Sequence, residues 1–217
     1  FKIDLAEIAV RAQLGLPVSR IDSALLDFDH VGVRAAQFSH SRLKGTDAVP
    51  GVEMTSTGEV GCIGRGVRDA FLKAFLSAGF RIPHKKILLS TGPIEDKVDF
   101  IASARKLRAM GFELVASSGT ARFLAHNGIE VQTLAWPLEE KKPNIADLIR
   151  RGDIDQVINI PKNNRESELK NDFSVRALAI EYGIPLITNI KIAKQWTDSL
   201  EWFYARGVEI KSREEYS

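Results

Sequence analysis

Between residues 86 and 206 one unit recurs five times: a short apolar run, a polar turn, and a stretch with helical spacing. The runs occupy 87–90, 112–116, 131–135, 156–160 and 185–189. None alternates polar with apolar, as expected of strands in a parallel sheet whose two faces are both covered by helices. Val98, Ile101, Ala104 and Leu107 share one helical face. Gly111 and Gly128 stand where helix C-termini are capped before the next strand. Further helices are predicted over 120–127, over 144–151 closing at Gly152, over 168–182 closing at Gly183, and over 192–206. Parallel strands joined through helices cross over right-handedly. The expected architecture is an α/β three-layer sandwich around a five-stranded parallel sheet.

Residues 1–83 read differently. The chain opens on an amphipathic helix with Ile3, Leu5, Ile8, Ala9 and Ala12 apolar, ended by Gly15 and Pro17. Strands are predicted over 31–38 and 59–63, with a turn-rich stretch at 45–50 between them and a helix over 67–78 closed by Gly79. This segment alternates too little for a self-contained sheet, and a unit so small buries little core. Residues 81–86 read as a linker. The chain thus divides into 1–83 and 84–217, and its abrupt start on an apolar-faced helix suggests a fragment of something larger.

The net charge is +2 and no basic block stands apart from acidic neighbours, so nothing points to a nucleic-acid partner. No apolar run approaches the ~20 residues that span a bilayer, and no signal peptide opens the chain. The expectation is a cytoplasmic protein with no membrane partner. Cys62 is the single cysteine, which excludes an internal disulfide and a cysteine-based zinc site. It is expected to be a small buried apolar residue. His30, His40, His84 and His126 are scattered without metal-ligand spacing.

Polar residues gather where the predicted strands end: Ser90-Thr91, Ser117-Ser118-Gly119-Thr120, Lys162-Asn163-Asn164 and Thr188-Asn189. In open α/β sheets ligands bind at that edge. Hydroxyls, a permissive glycine and free helix amides make Ser117–Thr120 either an anion cradle or an ordinary helix cap. Lys97 either faces that cradle or is simply solvated. Trp136 follows the third strand directly and offers a flat face to a ligand or a cover for the sheet end. Asn159, inside the fourth strand, needs hydrogen-bond partners, whether from a loop or from a ligand. Gly61–Gly66 lacks the G-x-G-x-x-G spacing and reads as a strand-to-helix turn. Residues 139–142, Glu-Glu-Lys-Lys, read as a solvated loop.

The run Glu53-Met-Thr-Ser-Thr-Gly-Glu-Val-Gly61, a glycine turn and the helix at 70–74 (Ala-Phe-Leu-Lys-Ala) resemble the large subunit of carbamoyl-phosphate synthase. Residues 29–38, 44–50 and 76–83 fit the same pattern, so the likeness covers nearly the whole chain. It implies that residues 1–83 are the α+β end of the second ATP-grasp half. Residues 84–217 would then be the methylglyoxal-synthase-like regulatory domain. The lyase relatives place aspartates after the third and fourth strands. Here those places hold Trp136-Pro137-Leu138 and Pro161-Lys162-Asn163, so binding without catalysis is implied. Ala135-Trp136-Pro137 and the run Val157-Ile158-Asn159-Ile160-Pro161 are similar to the acetylglutamate-activated members.

By that resemblance the effector contacts map onto Ser117, Thr120, Trp136 and Asn159, and a later asparagine onto Asp172 or neighbouring Asn171. Lys97 and Lys162 would supply positive charge. Thr188 is the one matching position of an ornithine-type site, where Ala35 and Leu186 replace the family's acidic residue and tyrosine. The implied function is allosteric control of ATP-dependent carbamoyl phosphate synthesis from bicarbonate and glutamine-derived ammonia. The effector would be a small anion, either a nucleotide monophosphate or an acetylglutamate-like molecule. A glutaminase small subunit would deliver the ammonia, the assembly would be a homo-oligomer, and the pathway served would be arginine or pyrimidine synthesis. ATP with Mg2+ or Mn2+ is implied for the whole enzyme, and no cofactor for this fragment. Two other readings stay open: a free-standing methylglyoxal-synthase-type lyase, and a structural or oligomerisation domain without a ligand.

Overall fold

The computed structural model describes residues 3–19, 29–37, 58–161, 166–212 and 215–216. Five parallel strands form the central sheet: β3 (Lys86–Ser90), β4 (Glu113–Ser117), β5 (Gln132–Leu134), β6 (Gln156–Asn159) and β7 (Leu186–Ile187). Their order is β5-β4-β3-β6-β7. The chain winds outward from β3 to β5, then returns to pair β6 with the other side of β3. The winding therefore reverses between β3 and β6, and that is where such sheets open a crevice at the strand ends.

The sandwich has three layers because alternate residues of the central strands β3, β4 and β6 enter different cores. Ile87, Leu89, Leu114, Ala116 and Ile158 belong to one cluster with α3 (Ile94–Ala109), α4 (Ser118–His126) and α7 (Ile190–Arg206). Leu88, Val115, Leu134 and Val157 belong to the other, with α5 (Ile145–Arg151) and α6 (Glu166–Glu181). Both faces of β3, β4 and β6 are covered, so these strands show no polar alternation. α5 starts with a capping box in which Asn144 accepts from the Asp147 N–H at 3.1 Å and donates its own N–H to Asp147 at 3.0 Å. It ends at Gly152 with φ 74°, a left-handed cap that glycine adopts without strain.

The first segment contains α1 (Leu5–Gln13), β1 (Val31–Gln37), β2 (Gly58–Gly64) and α2 (Val67–Ser77). β1 and β2 pair antiparallel as a separate two-stranded sheet. α2 continues the large core, since Phe71 and Leu72 join the α3/α4/α7 cluster. Phe75 stacks on Trp196 of α7 with ring centroids 5.6 Å apart, and Phe80 meets the same indole edge-on at 5.8 Å. Within residues 81–86 Pro83 is buried and Ile82 packs against the same cluster.

Two readings from sequence are corrected. Gly61–Gly64 lie within β2, so only Arg65 and Gly66 make the turn. Gly64 sits there because a Cβ would come within 2.4 Å of the Ala70 nitrogen. Cys62 is half-buried and not in the core, its sulfur 3.6 Å from the Ser77 hydroxyl. Residues 139–142 are exposed, as the charge run implies. Residues 44–50 and 51–57, which hold most of the Glu53–Gly61 motif, lie outside the described residues.

Candidate functional site

The carboxyl ends of β3, β4, β5 and β6 surround a cavity of about 100 Å3. β3 delivers Ser90 and the turn Thr91-Gly92 to its floor. Gly92 permits this turn to pass under the end of β6, since a Cβ would lie 2.6 Å from the Pro161 carbonyl oxygen and 2.8 Å from that of Ile160. The turn is tied to α4: the Thr91 N–H donates to Thr120 Oγ1 at 3.1 Å, and the Thr120 hydroxyl donates to the Thr91 carbonyl at 3.2 Å.

β4 runs into α4 without a loop. Ser117 occupies the cap position in extended geometry, yet its side chain makes no capping bond. It donates instead to Ser90 Oγ at 3.3 Å. The positive end of α4 is therefore directed at the cavity with Ser118, Gly119 and Thr120 forming its first turn. Lys97, in the opening turns of α3, is 9% exposed and lines the same space. Its Nζ lies 4.0 Å from the point a Gly119 Cβ would occupy, so the ammonium rests against the α4 turn. A cation, a helix N-terminus and hydroxyls in one recess are the elements of an anion site.

Trp136, half-buried beyond the end of β5, closes one side and packs against the α5/α6 core. The turn after it is fixed from α6, where Asn171 Oδ1 accepts from the Leu138 N–H at 3.2 Å. The neighbouring Asp172 faces the cavity and is 2% exposed. Asn159 Nδ2 donates to Asp172 Oδ1 at 2.8 Å, and Ser90 Oγ donates to the same oxygen at 3.4 Å. Arg176, one turn further along α6 and 4% exposed, donates to Asn159 Oδ1 at 3.0 Å.

Of the residues singled out from sequence, Lys97, Ser117, Thr120, Trp136 and Asp172 converge on one cavity. Asn159 is fully buried behind Asp172, one layer back from the lining. Thr188 is half-buried past the end of β7 and lies outside the lining. Lys162 lies outside the described residues. Between the two candidates at the start of α6, Asp172 and not Asn171 faces the cavity. Sequence reasoning missed Arg176, for which no motif existed. It grouped Ser90 and Thr91 with the polar strand ends without assigning them to the site.

The MGS-like domain model matches residues 99–188, which contain β4 to β6 and most of the cavity wall. The multifunctional protein pyrABCN of Emericella nidulans is 40% identical over 216 residues, covering 95% of this chain and 10% of that protein. The chain belongs to the carbamoyl-phosphate synthase family, of which it carries the MGS-like domain. The ammonia-type mitochondrial carbamoyl-phosphate synthase of Homo sapiens is 35% identical over 219 residues, 97% of this chain and 14% of that protein. The chain thus spans 10% to 14% of the length of these relatives. A solved methylglyoxal synthase from Elizabethkingia anophelis NUHP1 overlays at 17% identity with a TM-score of 0.39, covering 52% of this chain and 77% of that one. That overlay is too slight to carry an argument. Among the described residues no helix is long and apolar enough to cross a membrane.

Proposed function

We propose that this chain is the effector-binding, regulatory part of a carbamoyl-phosphate synthase large subunit. The observation that carries the reading is the placement of Lys97 against the first turn of α4, beside Ser117, Thr120 and Trp136 in one recess. An anionic head group of phosphate size suits a cavity of about 100 Å3, and the remainder of a larger effector would lie across the Trp136 ring. Binding there orders the β3–α3 and β4–α4 turns. The α3/α4/α7 core is continuous with α2, so the same event reaches the first segment. A coupling of ~1–3 kcal/mol between such a site and a distant catalytic centre changes activity several-fold.

The whole enzyme would make carbamoyl phosphate from bicarbonate, ATP and ammonia, with the ammonia delivered by a glutaminase subunit. The names pyrABCN and URA2 of the fungal relatives favour pyrimidine synthesis as the pathway supplied. The ATP and metal chemistry is assigned to no residue described here.

A thermal-shift series with UMP, IMP, acetylglutamate and inorganic phosphate tests the reading. At least one of these anions is expected to stabilise the chain, and Trp136→Ala and Thr120→Ala to abolish that stabilisation. Silence with all four would leave a structural domain as the better account. Asp172 gives the lyase reading one specific support, because a carboxylate does line the cavity. Robust formation of methylglyoxal from dihydroxyacetone phosphate, lost in Asp172→Asn, would replace the regulatory proposal.

A further inference from the structure

A second cavity, of about 350 Å3, lies between β2, α2 and the segment that follows α7. It is larger than the recess at the strand ends and shares no residue with it. Its volume falls in the range of small-molecule sites, which combine a mostly apolar lining with a few polar groups. Ile63 of β2, Leu76 of α2, and Val208 and Ile210 beyond α7 supply the apolar wall. Leu76 and Val208 are backed by the main core, whereas Ile210 is 90% exposed. An isoleucine that borders a cavity and is otherwise left in water gains from a ligand that covers it.

The polar corner is fixed by distances. Lys73 Nζ donates to the Tyr216 hydroxyl oxygen at 2.9 Å, to Asp69 Oδ2 at 2.9 Å and to the Ile63 carbonyl at 3.4 Å. Those bonds use all the hydrogens of an ammonium. Burial alone would lower the Lys73 pKa, but the hydrogen bonds to Tyr216 and Asp69 outweigh it and hold the group above its usual value. The Tyr216 oxygen accepts from Lys73, and its own hydrogen has no acceptor among the described residues. Cys62 Sγ and Ser77 Oγ stand 3.6 Å apart, a contact that uses one of their two hydrogens and leaves the other to a third partner. Lys211 also lines the cavity and has one ion-pair partner among the described residues, Glu209 at 3.3 Å. Asp69 and Glu209, the carboxylates that pair with the two lysines, are not part of the lining. The cavity thus presents apolar surface and hydrogen donors, with no carboxylate in its wall to compete for them.

We infer that this cavity is a second ligand site, one that takes an apolar carboxylic acid in its ionised form. The apolar body lies against Ile63, Leu76, Val208 and Ile210, and the carboxylate accepts from the Tyr216 hydroxyl and the Lys211 ammonium. A carboxylate accepts without donating, which suits a wall of donors, whereas an amine on the same body adds donors to donors. The site is separate from the recess at the strand ends, and the inference does not rest on the reading of that recess.

Calorimetry with octanoate, octylamine and acetate tests it, since the first two differ only in the head group and the third has the head without the body. Wild-type chain is expected to bind octanoate about tenfold or more tighter than either of the others. Tyr216→Phe keeps the ring and removes the donor, and should weaken octanoate about tenfold, the scale of one hydrogen bond to a charged group. Ser77→Trp places a large ring at an exposed position of the lining and should abolish octanoate binding. Ile210→Asp, also at an exposed position, should do the same should the tryptophan variant fail to fold. An unchanged melting temperature without ligand shows that each variant keeps the fold. Octylamine binding as tightly as octanoate overturns the assignment of the head group. Octanoate failing to bind wild type, or binding Tyr216→Phe and Ile210→Asp as it binds wild type, overturns the site.

Discussion

Trp196 on α7 and Gln156 on β6 are both fully buried, and the indole N–H donates to Gln156 Oε1 at 2.8 Å. The same ring packs on Phe75 and Phe80, so one side chain joins the sheet, α7 and the α2 region. Trp196→Phe keeps most of the ring contacts and strands the Gln156 oxygen. Gln156 Nε2 already has no hydrogen-bond partner among the described residues, so the substitution leaves the whole amide without the one side-chain bond shown for it. A destabilisation of about 1–3 kcal/mol is expected for an orphaned buried acceptor. Urea denaturation measures it, and phosphate affinity should not change, because neither residue reaches the cavity.

Lys106 bridges α3 to α7, with Nζ 2.6 Å from Asp198 and 2.8 Å from Glu201. Hydrogen bonds donated to Asp198 first and Glu201 second hold the ammonium above its usual pKa, against a smaller opposing effect of burial. A raised lysine contributes stability that is complete below its unfolded pKa of about 10.4 and disappears as pH rises through the folded value. The pair is a third exposed, so screening holds the contribution of Lys106→Met to about 0.5–1 kcal/mol at neutral pH. Comparison of the two proteins between pH 7 and pH 11.5 should show that difference fading only above about pH 10.5. A constant difference at every pH would mean that the aliphatic stem matters and the charge does not.

The sheet was legible because helices cover both faces of its central strands, which leaves predominantly apolar runs with helical stretches between them. The fifth run was read too long: only Leu186 and Ile187 pair as β7, and Asn189 turns away to cap α7 by accepting from the Lys191 and Ile192 amides. An edge strand has one neighbour, so its length follows from that neighbour and not from its own composition. The recess was legible as polar residues at strand ends. The choice between Asn171 and Asp172 was not, because neighbours on a helix point about 100° apart and only the packed phase of α6 decides which one faces inward. Arg176 was invisible for a related reason, since its partner Asn159 sits on another element. The role of Gly92 appears only when the end of β6 is laid against it.

Thr120 carries both a fold contact and a site contact, and two substitutions separate them. Thr120→Val leaves the Thr91 N–H buried without its acceptor at 3.1 Å, and should cost about 1–3 kcal/mol in denaturant. Thr120→Ser keeps the hydroxyl and should stay within about 1 kcal/mol of wild type, the scale of a small buried volume change. If the hydroxyl also serves the ligand, calorimetry with inorganic phosphate will follow the same order, with serine retaining affinity and valine losing at least tenfold. Equal phosphate binding by both variants would confine Thr120 to holding the β3–α3 turn.

Gly92 is where close packing and binding meet. Its hydrogen stands in for a Cβ that would sit 2.6 Å from the Pro161 carbonyl oxygen and 2.8 Å from that of Ile160, both backbone atoms at the end of β6. Neither can rotate away as a side chain would, so Gly92→Ala must push the β3–α3 turn and the β6 terminus apart. That terminus is pinned by the Ile160 N–H donating to the Ser90 carbonyl at 2.8 Å, which makes the displacement costly. The expected result is a destabilisation of about 1–3 kcal/mol, as for overpacking in a core. Loss of phosphate-induced stabilisation should accompany it, because Ser90, Thr91 and Ile160 line the recess and move with the turn. Gly64→Ala supplies the control: its Cβ would strike the Ala70 nitrogen at 2.4 Å, far from the recess. It should destabilise comparably while the phosphate response survives. Identical behaviour of the two variants toward phosphate would show that global stability, and not the geometry beneath Gly92, governs binding.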